Sequence, residues 1–199
     1  MVRDGIYYAL ALTAGGALLL YFRSPWYSLP LFVLGAFCLY FFRDPERTIP
    51  NGPVAVSPAD GKVVSIRQDP PDTTRISIFL NIFDVHVNRS PIAGKISEVR
   101  YQRGHFLPAN MERASSQNEQ NMVTVDAGDC RVTFSQIAGL IARRIVFYKR
   151  AGDDVNKGER IGLIKFGSRV DVFLGPEWVL AVREGARVAA GSSVLATRK

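Results

Sequence analysis

Two uncharged apolar runs near the start of the sequence constrain the fold of this chain more than any other feature. Residues 5–22 and residues 25–42 each contain eighteen positions without a charged side chain, and Arg23 lies between the two runs. A hydrocarbon core about 30 Å thick needs about 20 residues of helix. Each run is therefore just long enough to span a bilayer. Residues 1–43 are predicted to form a helical hairpin that anchors the chain in a membrane.

Two other interpretations of this region stay open. The first run would also suit a secretory signal peptide, although Asp4 follows Arg3 and no small-residue cleavage pattern precedes the second run. The second run is short after Pro30, so a re-entrant or buried hairpin would suit it too. Arg43, Arg47 and a basic remainder follow the second run. The positive-inside rule then predicts the cell membrane as the location, with the later domain and both termini on the cytoplasmic side.

Charge and cysteine content narrow the class of partner. The chain carries a formal net charge of +7, which favours an anionic partner. After a membrane anchor, that partner is predicted to be an acidic lipid surface. The sequence offers no RNA-binding aromatic motif, helix-turn-helix or basic helix, so no nucleic acid is predicted. Cys38 and Cys130 lie outside any CxxC motif or Cys/His cluster, so neither a structural disulfide nor a metal site is predicted.

Residues 44–199 have the pattern of a mainly β domain. Short runs rich in β-branched residues alternate with Gly, Pro, Asp and Asn, and a helical period is almost absent. The predicted strands are residues 54–56, 62–67, 75–87, 94–103, 122–126, 131–136, 144–148, 161–174 and 179–183. Residues 107–117 are the exception, since they suit either a helical turn or two or a loop.

Two internal repeats refine this fold prediction. SPADGKV at residues 57–63 is echoed by SPIAGKI at residues 90–96, and GDDVNKG at residues 152–158 by GARVAAG at residues 185–191. The first pattern is typical of a strand entry, and the second of a turn, a short strand and a second turn. Paired segments of this kind predict the folded-over halves of a lipoyl-like barrel-sandwich domain.

A Gly-Ser pair interrupts the predicted strand at residues 161–174. Counting by twos puts Ser168 on an otherwise apolar face, and Gly167, Arg169 and Asp171 on the opposite face. A glycine inside a strand weakens the strand and marks a bend, a bulge or a close backbone approach. One interpretation is a buried serine that is hydrogen-bonded to a carbonyl beside a bulge. The other is a serine kept for its chemistry.

Ionisable residues also interrupt an apolar face in the segment at residues 75–88. Its even-numbered positions change from isoleucine and leucine to Asp84, His86 and Asn88. His86 is either a functional imidazole or a hydrogen-bonded histidine at a strand end. Asp60 precedes Gly61 and is either functional or an ordinary turn residue.

In their order along the chain, six segments together resemble the phosphatidylserine decarboxylase family, in its short prokaryotic form. They are FRDP at 42–45, SPADG at 57–61, FDVHVNRSP at 83–91, the loop at 104–109, NE at 118–119 and FGS at 166–168. The resemblance implies a proenzyme that cuts itself between Gly167 and Ser168. Residues 1–167 would become a β chain, and residues 168–199 an α chain that stays associated with it. Ser168 would become a covalent pyruvoyl cofactor at the new N-terminus.

The resemblance also implies the reaction and its residues. The pyruvoyl carbonyl would form a Schiff base with membrane phosphatidylserine, release carbon dioxide and yield phosphatidylethanolamine. Asp60 and His86 would assist Ser168 in cleavage, and His86 would also reprotonate the substrate. The predicted pocket walls are Phe106, Phe166 and Val170.

Two positions depart from the family pattern. Arg89 stands where longer members have a second histidine. Either His86 would serve both cleavage and decarboxylation, or cleavage would rely more on backbone strain. Gln120 stands where an arginine often follows the Asn-Glu pair, which bears on substrate contacts in that loop.

Three alternatives accompany this assignment. Cleavage at the second Gly-Ser pair, Gly191-Ser192, would leave only eight residues and no apolar strand, so Gly167-Ser168 is preferred. A non-enzymatic, membrane-anchored lipoyl-like adaptor would use the same fold, because fold does not determine function. A pyruvoyl decarboxylase for a soluble amino acid would not need the membrane anchor. The sequence leaves a homodimer open.

Overall fold

The computed structural model describes residues 1–23, 25–109, 111, 113–140, 144–165 and 168–199. The predicted site residues Phe166 and Gly167 therefore lie outside the described residues. The chain divides into two compact units, Met1–Glu46 and Arg47–Lys199.

The first unit contains two helices, α1 (Arg3–Phe22) and α2 (Pro25–Phe41). Gly5 on α1 lies against Phe42, and Gly16 lies against Phe32, so the two helices run antiparallel. Small residues at such positions let two helices approach closely. The predicted helical character of both apolar runs is confirmed.

The two helices differ in length. Among the described residues, α1 alone is long and apolar enough to cross a membrane, with 20 residues and a mean hydropathy of 1.5. The 17 residues of α2 extend for about 26 Å at about 1.5 Å per residue. A membrane hairpin made of both helices therefore stays a prediction.

The second unit is mainly β, as predicted. Within the described residues its strands are β1 (Val54–Val56), β2 (Gly61–Asp69), β3 (Thr73–Leu80), β4 (Val87–Arg89), β5 (Gly94–Gln102), β6 (Gln120–Asp126), β7 (Arg131–Ile137), β8 (Arg144–Phe147), β9 (Asp154–Val155), β10 (Arg160–Lys165), β11 (Ser168–Leu174), β12 (Trp178–Leu180), β13 (Arg187–Val188) and β14 (Val194–Arg198). A single helical turn, α3 (Ala114–Gln117), precedes β6.

The strands form three antiparallel sheets. The largest has the order β13-β2-β3-β11-β7-β6-β5-β9, and the others are β1-β14-β12 and β4-β10-β8. Apolar side chains from all three sheets form one buried cluster. It includes Ile76 and Ile78 on β3, Val170 and Val172 on β11, and Ile164 on β10. The even spacing of these apolar residues explains the cluster, because every second residue of a strand points to the same face of its sheet.

The predicted internal repeats occupy corresponding places in the largest sheet. Gly61 begins β2 and Gly94 begins β5, with φ angles of +148° and +156°. Val188 of β13 pairs with Gly61, and Val155 of β9 pairs with Gly94, at the two edges of the sheet. The order of the eight strands is therefore mirrored about its centre. This arrangement supports two folded-over halves, while the lipoyl-like assignment stays a prediction.

Two strand predictions are wrong in extent. Residues 161–174 form β10 and β11, which belong to different sheets, so Ser168 begins a strand instead of lying inside one. Residues 75–87 do not form one strand, because β3 ends at Leu80. Asn81 and Asp84 form a turn there: the Asp84 N–H donates to the Asn81 carbonyl at 3.1 Å. Polar turn residues of this kind compete with the ladder of a sheet.

Candidate active site

Ser168 is buried at the first position of β11. It pairs with Leu80, the last residue of β3, and its side chain has no solvent exposure. Its Oγ has no hydrogen-bond partner in the part of the chain that the structure describes. A buried polar group without a partner costs about 1–3 kcal/mol. The described contacts therefore give no support to a hydrogen-bonded core serine.

His86 is buried at the end of the loop that follows β3. Its Nδ1 lies 2.9 Å from the carbonyl oxygen of Asp84. A carbonyl only accepts hydrogen bonds, so Nδ1 carries the proton and donates. When the ring is neutral, its lone pair is therefore on Nε2. This tautomer suits a general base that acts through Nε2.

Two short chain connections bring the backbones of His86 and Ser168 to one region. The N–H of Ile164 donates to the carbonyl of His86 at 3.3 Å. Ser168 follows Ile164 by four positions, which an extended chain covers in at most about 14 Å. On the other side, Leu80 pairs with Ser168 and precedes His86 by six positions. The structure therefore brings these two predicted site residues to the same end of the largest sheet.

Asp60 lies in the turn before β2 and has two described partners. Arg47 donates from Nη2 to both carboxylate oxygens, at 2.8 and 3.0 Å, and the N–H of Ala190 donates at 2.8 Å. Burial raises the pKa of Asp60, although the Ala190 hydrogen bond and the Arg47 charge oppose this rise. The described hydrogen bond of the His86 ring goes to the Asp84 carbonyl instead of the Asp60 carboxylate.

Asp84 holds the loop that carries His86. One carboxylate oxygen accepts the N–H of Asn81 at 2.9 Å, and the other accepts a hydrogen bond from Arg187 at 2.9 Å. The negative charge of Asp84 also contributes to the raised pKa of Asp60. Sequence reasoning grouped Asp84 with His86 on one strand face. The signal for its actual role is the Asn-x-x-Asp spacing, which is typical of a turn.

The three predicted pocket residues have different surroundings. Phe106 is half-buried in the loop after β5. Asn118 holds this loop, because its side chain bonds to the N–H and the carbonyl of Leu107 at 2.9 and 2.8 Å. Val170 lies in the hydrophobic core, paired with Ile78 and Gln136. Phe166 is outside the described residues, and the pocket roles stay predictions.

Sequence reasoning missed a buried ion pair next to Ser168. Arg169 donates from Nε to Asp171 at 2.6 Å and from Nη2 to Ser77 at 2.6 Å. Asp171 also accepts a hydrogen bond from Ser115 at 2.8 Å. Counting by twos placed Arg169 and Asp171 opposite the apolar face, but both are almost fully buried. The pair therefore fixes the segment around α3 against β11.

A chain of buried amides connects the sheet next to His86 with the sheet that contains Ser168. Gln136 on β7 donates to Asn88 on β4 at 2.8 Å, and Asn121 on β6 donates to Gln136 at 3.0 Å. The Gln136 amide also lies close to Gly162 on β10. A Cβ added at Gly162 would be 3.2 Å from Nε2 of Gln136. A satisfied buried network of this kind specifies a single relative position of the elements that it joins.

The two departures from the family pattern have structural partners. Arg89 is buried, and its Nη1 donates to the carbonyl of Gly158 at 3.0 Å. Gln120 accepts a hydrogen bond from Ser135 at 2.9 Å. These contacts join strands and turns of the domain. They give both side chains a role in the fold.

Comparison with known proteins identifies the family. The family model for phosphatidylserine decarboxylase matches residues 34–196. The phosphatidylserine decarboxylase proenzyme of Solibacter usitatus (strain Ellin6076) is 61% identical over 198 residues, which cover 100% of this chain and 97% of the relative. The proenzyme of Syntrophus aciditrophicus (strain SB) is 42% identical over 206 residues, which cover 99% of this chain and 97% of the relative. The resemblance inferred from the motifs is confirmed, and the chain belongs to the phosphatidylserine decarboxylase family.

Proposed function

We propose that this chain decarboxylates phosphatidylserine to phosphatidylethanolamine and carbon dioxide, with a pyruvoyl group that it makes from Ser168. Membership of the family supports the reaction, and the relatives' description as proenzymes supports self-processing. The observation that carries the assignment of the residue is the buried Ser168 hydroxyl, which lacks a hydrogen-bond partner among the described residues. A glycine precedes it in the sequence, and glycine tolerates backbone distortion.

The proposed cleavage uses the chain's own groups. Ser168 Oγ attacks the carbonyl carbon of Gly167, and Nε2 of His86 accepts the hydroxyl proton. The amide bond breaks as an ester forms, and the released nitrogen of residue 168 takes up the proton. Residue 168 then loses its α-proton to a base and its Cβ–Oγ bond breaks, which frees residues 1–167 with a terminal carboxylate and leaves an enamine. Transfer of a proton to the former Cβ turns the enamine into an imine. Water replaces the nitrogen of residue 168, which leaves as ammonia.

The surroundings of Ser168 fit the group that would result. A pyruvoyl group supplies a carbonyl that binds the substrate amine and accepts electrons as carbon dioxide leaves. Leu80 and Val170 beside Ser168 are fully buried and apolar. An apolar environment disfavours the substrate carboxylate and excludes water. We assign to His86 the return of a proton to the substrate, and to Asp60 a supporting role in cleavage. Phe106, Phe166 and Val170 are the proposed apolar walls.

The two proposed products of cleavage would remain associated. In the uncut chain, β11 lies between β3 and β7 in the largest sheet, and β14 pairs with β1. Cleavage before Ser168 would leave these hydrogen bonds between residues 1–167 and residues 168–199. The α chain would also keep its share of the buried apolar cluster.

We further propose that the helical unit anchors the chain in the cell membrane, with the unit Arg47–Lys199 on the cytoplasmic side. The length and hydropathy of α1 support an anchor. The basic residues that follow α2 support the orientation. A phospholipid substrate would then be available without transport through water.

Intact mass of the purified chain under denaturing conditions tests the proposal. We expect two fragments, residues 1–167 and residues 168–199, the smaller with a blocked N-terminus lighter than serine and reactive towards hydrazine. Ser168→Ala should give one unbroken chain without decarboxylase activity. The matched control is Ser192→Ala at the second Gly-Ser pair, which should cleave normally. Decarboxylation by the Ser168→Ala chain would exclude Ser168 as the source of the pyruvoyl group.

A further inference from the structure

The strand register gathers several loops at one end of the largest sheet. Ser168 pairs with Leu80 at the end of β3, and Arg169 pairs with Ile137 at the end of β7. Gln120 at the start of β6 pairs with Ile137 and with Gln102 at the end of β5. The segments that follow β3, β7 and β5, and those that precede β6 and β11, therefore meet at this end. We name it the Ser168 end.

Large apolar side chains are exposed on three separate loops at the Ser168 end. Ile82 and Phe83, just beyond Leu80, are 37% and 63% exposed, and Leu140, just beyond Ile137, is 58% exposed. Met111 is 50% exposed, and its carbonyl lies 3.4 Å from Nη1 of Arg169. Exposed apolar groups brought together from distant parts of a chain mark an interaction surface.

Basic side chains surround these apolar ones. The exposed basic residues at or next to the Ser168 end are Lys62, Arg103, Arg113, Arg144 and Arg187. The described acidic groups here include Asp60 and Asp84, which form salt bridges with Arg47 and Arg187, and the half-buried Glu119 just before β6. The Ser168 end is therefore rich in positive charge.

The opposite end of the same sheet has a different character. The turn between β2 and β3 carries Asp69 and Asp72, and the turn between β6 and β7 carries Asp126 and Asp129. Two of these carboxylates are ion-paired, Asp69 with Arg75 and Asp129 with Arg198, and Lys95 also lies at this end. Acidic and basic groups are therefore mixed at the opposite end, whereas the exposed charges at the Ser168 end are mostly basic. Such an asymmetry orients a protein at a charged surface.

We propose that the Ser168 end docks on an anionic phospholipid bilayer, with Ile82, Phe83, Met111 and Leu140 inserted among the lipid headgroups. Apolar side chains flanked by Lys and Arg suit this interface, since the apolar groups enter the headgroup region and the cations attract anionic lipids. A second copy of the chain is a poorer occupant, because self-docking would bring arginines against arginines. The proposal rests on the proposed function in one respect: it explains how a phospholipid headgroup reaches Ser168 from the bilayer.

Depth-dependent fluorescence quenching tests this surface in the full chain. A fluorophore is attached at Phe83→Cys or Leu140→Cys, with Cys38 and Cys130 replaced by alanine. Vesicles contain phosphatidylcholine, phosphatidylglycerol and a nitroxide-labelled phosphatidylcholine. The matched control is Val179→Cys, which replaces a side chain that is 48% exposed on β12. This control lies near the opposite end of the sheet. Arg198 pairs with Trp178, the neighbour of position 179, and forms an ion pair with Asp129 in the β6–β7 turn.

We expect loss of most of the fluorescence at positions 83 and 140, and none at position 179. Equal quenching at the three positions, or quenching at position 179 alone, would overturn the proposal. Replacing Arg103 and Arg144 by glutamine should reduce quenching at position 83. Lys95→Gln, at the start of β5 and thus at the opposite end, should leave it unchanged. The same loss from both changes would exclude electrostatic attraction at the Ser168 end.

The Ser168→Ala background separates this proposal from the proposed function. Quenching in that chain requires neither cleavage nor turnover, so it persists if the reaction is assigned wrongly. A chain that decarboxylates its substrate without quenching at positions 83 and 140 contradicts the docking surface alone. Efficient disulfide formation between two Phe83→Cys chains, together with absent quenching, would identify a second copy as the occupant and overturn the proposal.

Discussion

The two halves of the eight-stranded sheet share a framework and differ in their ionisable groups. In each half, a serine before the first long strand donates a hydrogen bond to the carbonyl two residues further on. Ser57 donates to Ala59 at 2.6 Å, and Ser90 donates to Ile92 at 2.7 Å. A glycine with positive φ then begins β2 in one half and β5 in the other. The backbone plan therefore does not depend on the chemistry of either half.

The difference is clearest at the residue before that glycine. Asp60 holds this place in the first half and Ala93 in the second. Because the turn forms with alanine, the turn alone does not explain the aspartate. The Asp60 carboxylate is instead bound by Arg47 and Ala190. The comparison argues against an ordinary turn residue, and the role of Asp60 in cleavage stays a prediction.

The two central strands differ in the same way. Arg169 and Asp171 on β11 pair with Ile137 and Ser135 on β7. The buried charges thus lie on the strand that begins with Ser168, and the equivalent strand of the other half has neutral residues at the paired positions. The buried His86, Arg169 and Asp171 therefore lie near the same strand end, where β11 begins. Matched changes in the two halves should therefore have unequal effects wherever these groups are involved, and equal effects in the shared framework.

Replacing Asp171 should have the largest effect. Asp171→Leu would leave the Arg169 guanidinium buried without its carboxylate, which costs about 3–5 kcal/mol of unfolding free energy. The matched change on β7, Ser135→Ala, removes a hydroxyl bonded to Gln120 and should cost about 1 kcal/mol. Chemical denaturation of the uncleaved Ser168→Ala chain in micelles measures both. The double change Arg169→Leu/Asp171→Leu should recover most of the loss. Equal costs for the two single changes would remove the proposed difference between the strands.

The shared framework predicts equal costs for Gly61→Ala and Gly94→Ala. A Cβ would meet the carbonyl oxygen of Phe79 at one glycine and that of Asp126 at the other. With the positive φ, each change should cost about 2–3 kcal/mol of unfolding free energy. Gly128→Ala is the control, because its φ is +89° and no atom lies within 4 Å of the added Cβ. It should cost about 1 kcal/mol. A large difference between Gly61 and Gly94 would contradict the equivalence of the two halves.

The repeats and most strands could be predicted because they depend on local signals. Alternating apolar residues and the Pro-x-x-Gly-Lys spacing act within a few positions, and the structure has strands at these places. Each family motif is also a short local pattern. Together the motifs identified the family that the comparisons confirm.

The change of sheet between β10 and β11 could not be predicted, because it depends on distant pairing. β10 pairs with β4 and β8, whereas β11 pairs with β3 and β7. Apolar alternation continues along residues 161–174, and Gly167 marks a bend, a bulge or a close approach without indicating which strands pair on either side of it. The burial of Arg169 was hidden for the same reason, since its partner Ser77 lies 92 positions away.

Replacing the Asp60 charge tests the functional difference between the halves. Asp60→Asn should slow self-cleavage about tenfold to a hundredfold, which corresponds to about 1.4–2.7 kcal/mol in the barrier. The reason is loss of a negative charge near the Asp84 loop that carries His86. The appearance of the fragment 168–199 over time, followed by mass spectrometry, gives the rate. Ala93→Asp in the second half is the control and should not change it. An unchanged rate for Asp60→Asn would exclude a role in cleavage and leave Asp60 as a structural partner of Arg47.

The smallest effect concerns the pH dependence of stability. Burial raises the pKa of Asp60, so the folded chain holds this proton more tightly than the unfolded chain. The stability that Asp60 contributes is therefore fully present below the pKa of the unfolded carboxyl and is lost as pH rises through the raised value. An asparagine side chain carries no charge at any of these pH values, so Asp60→Asn should flatten this fall in unfolding free energy. Ala93→Asp should add no comparable fall, because the side chain at position 93 is exposed. Chemical denaturation of the Ser168→Ala chain from about pH 3 to about pH 7 brackets the ordinary carboxyl pKa. Parallel curves for this chain with and without the Asp60→Asn change would show that the Arg47 and Ala190 contacts cancel the effect of burial.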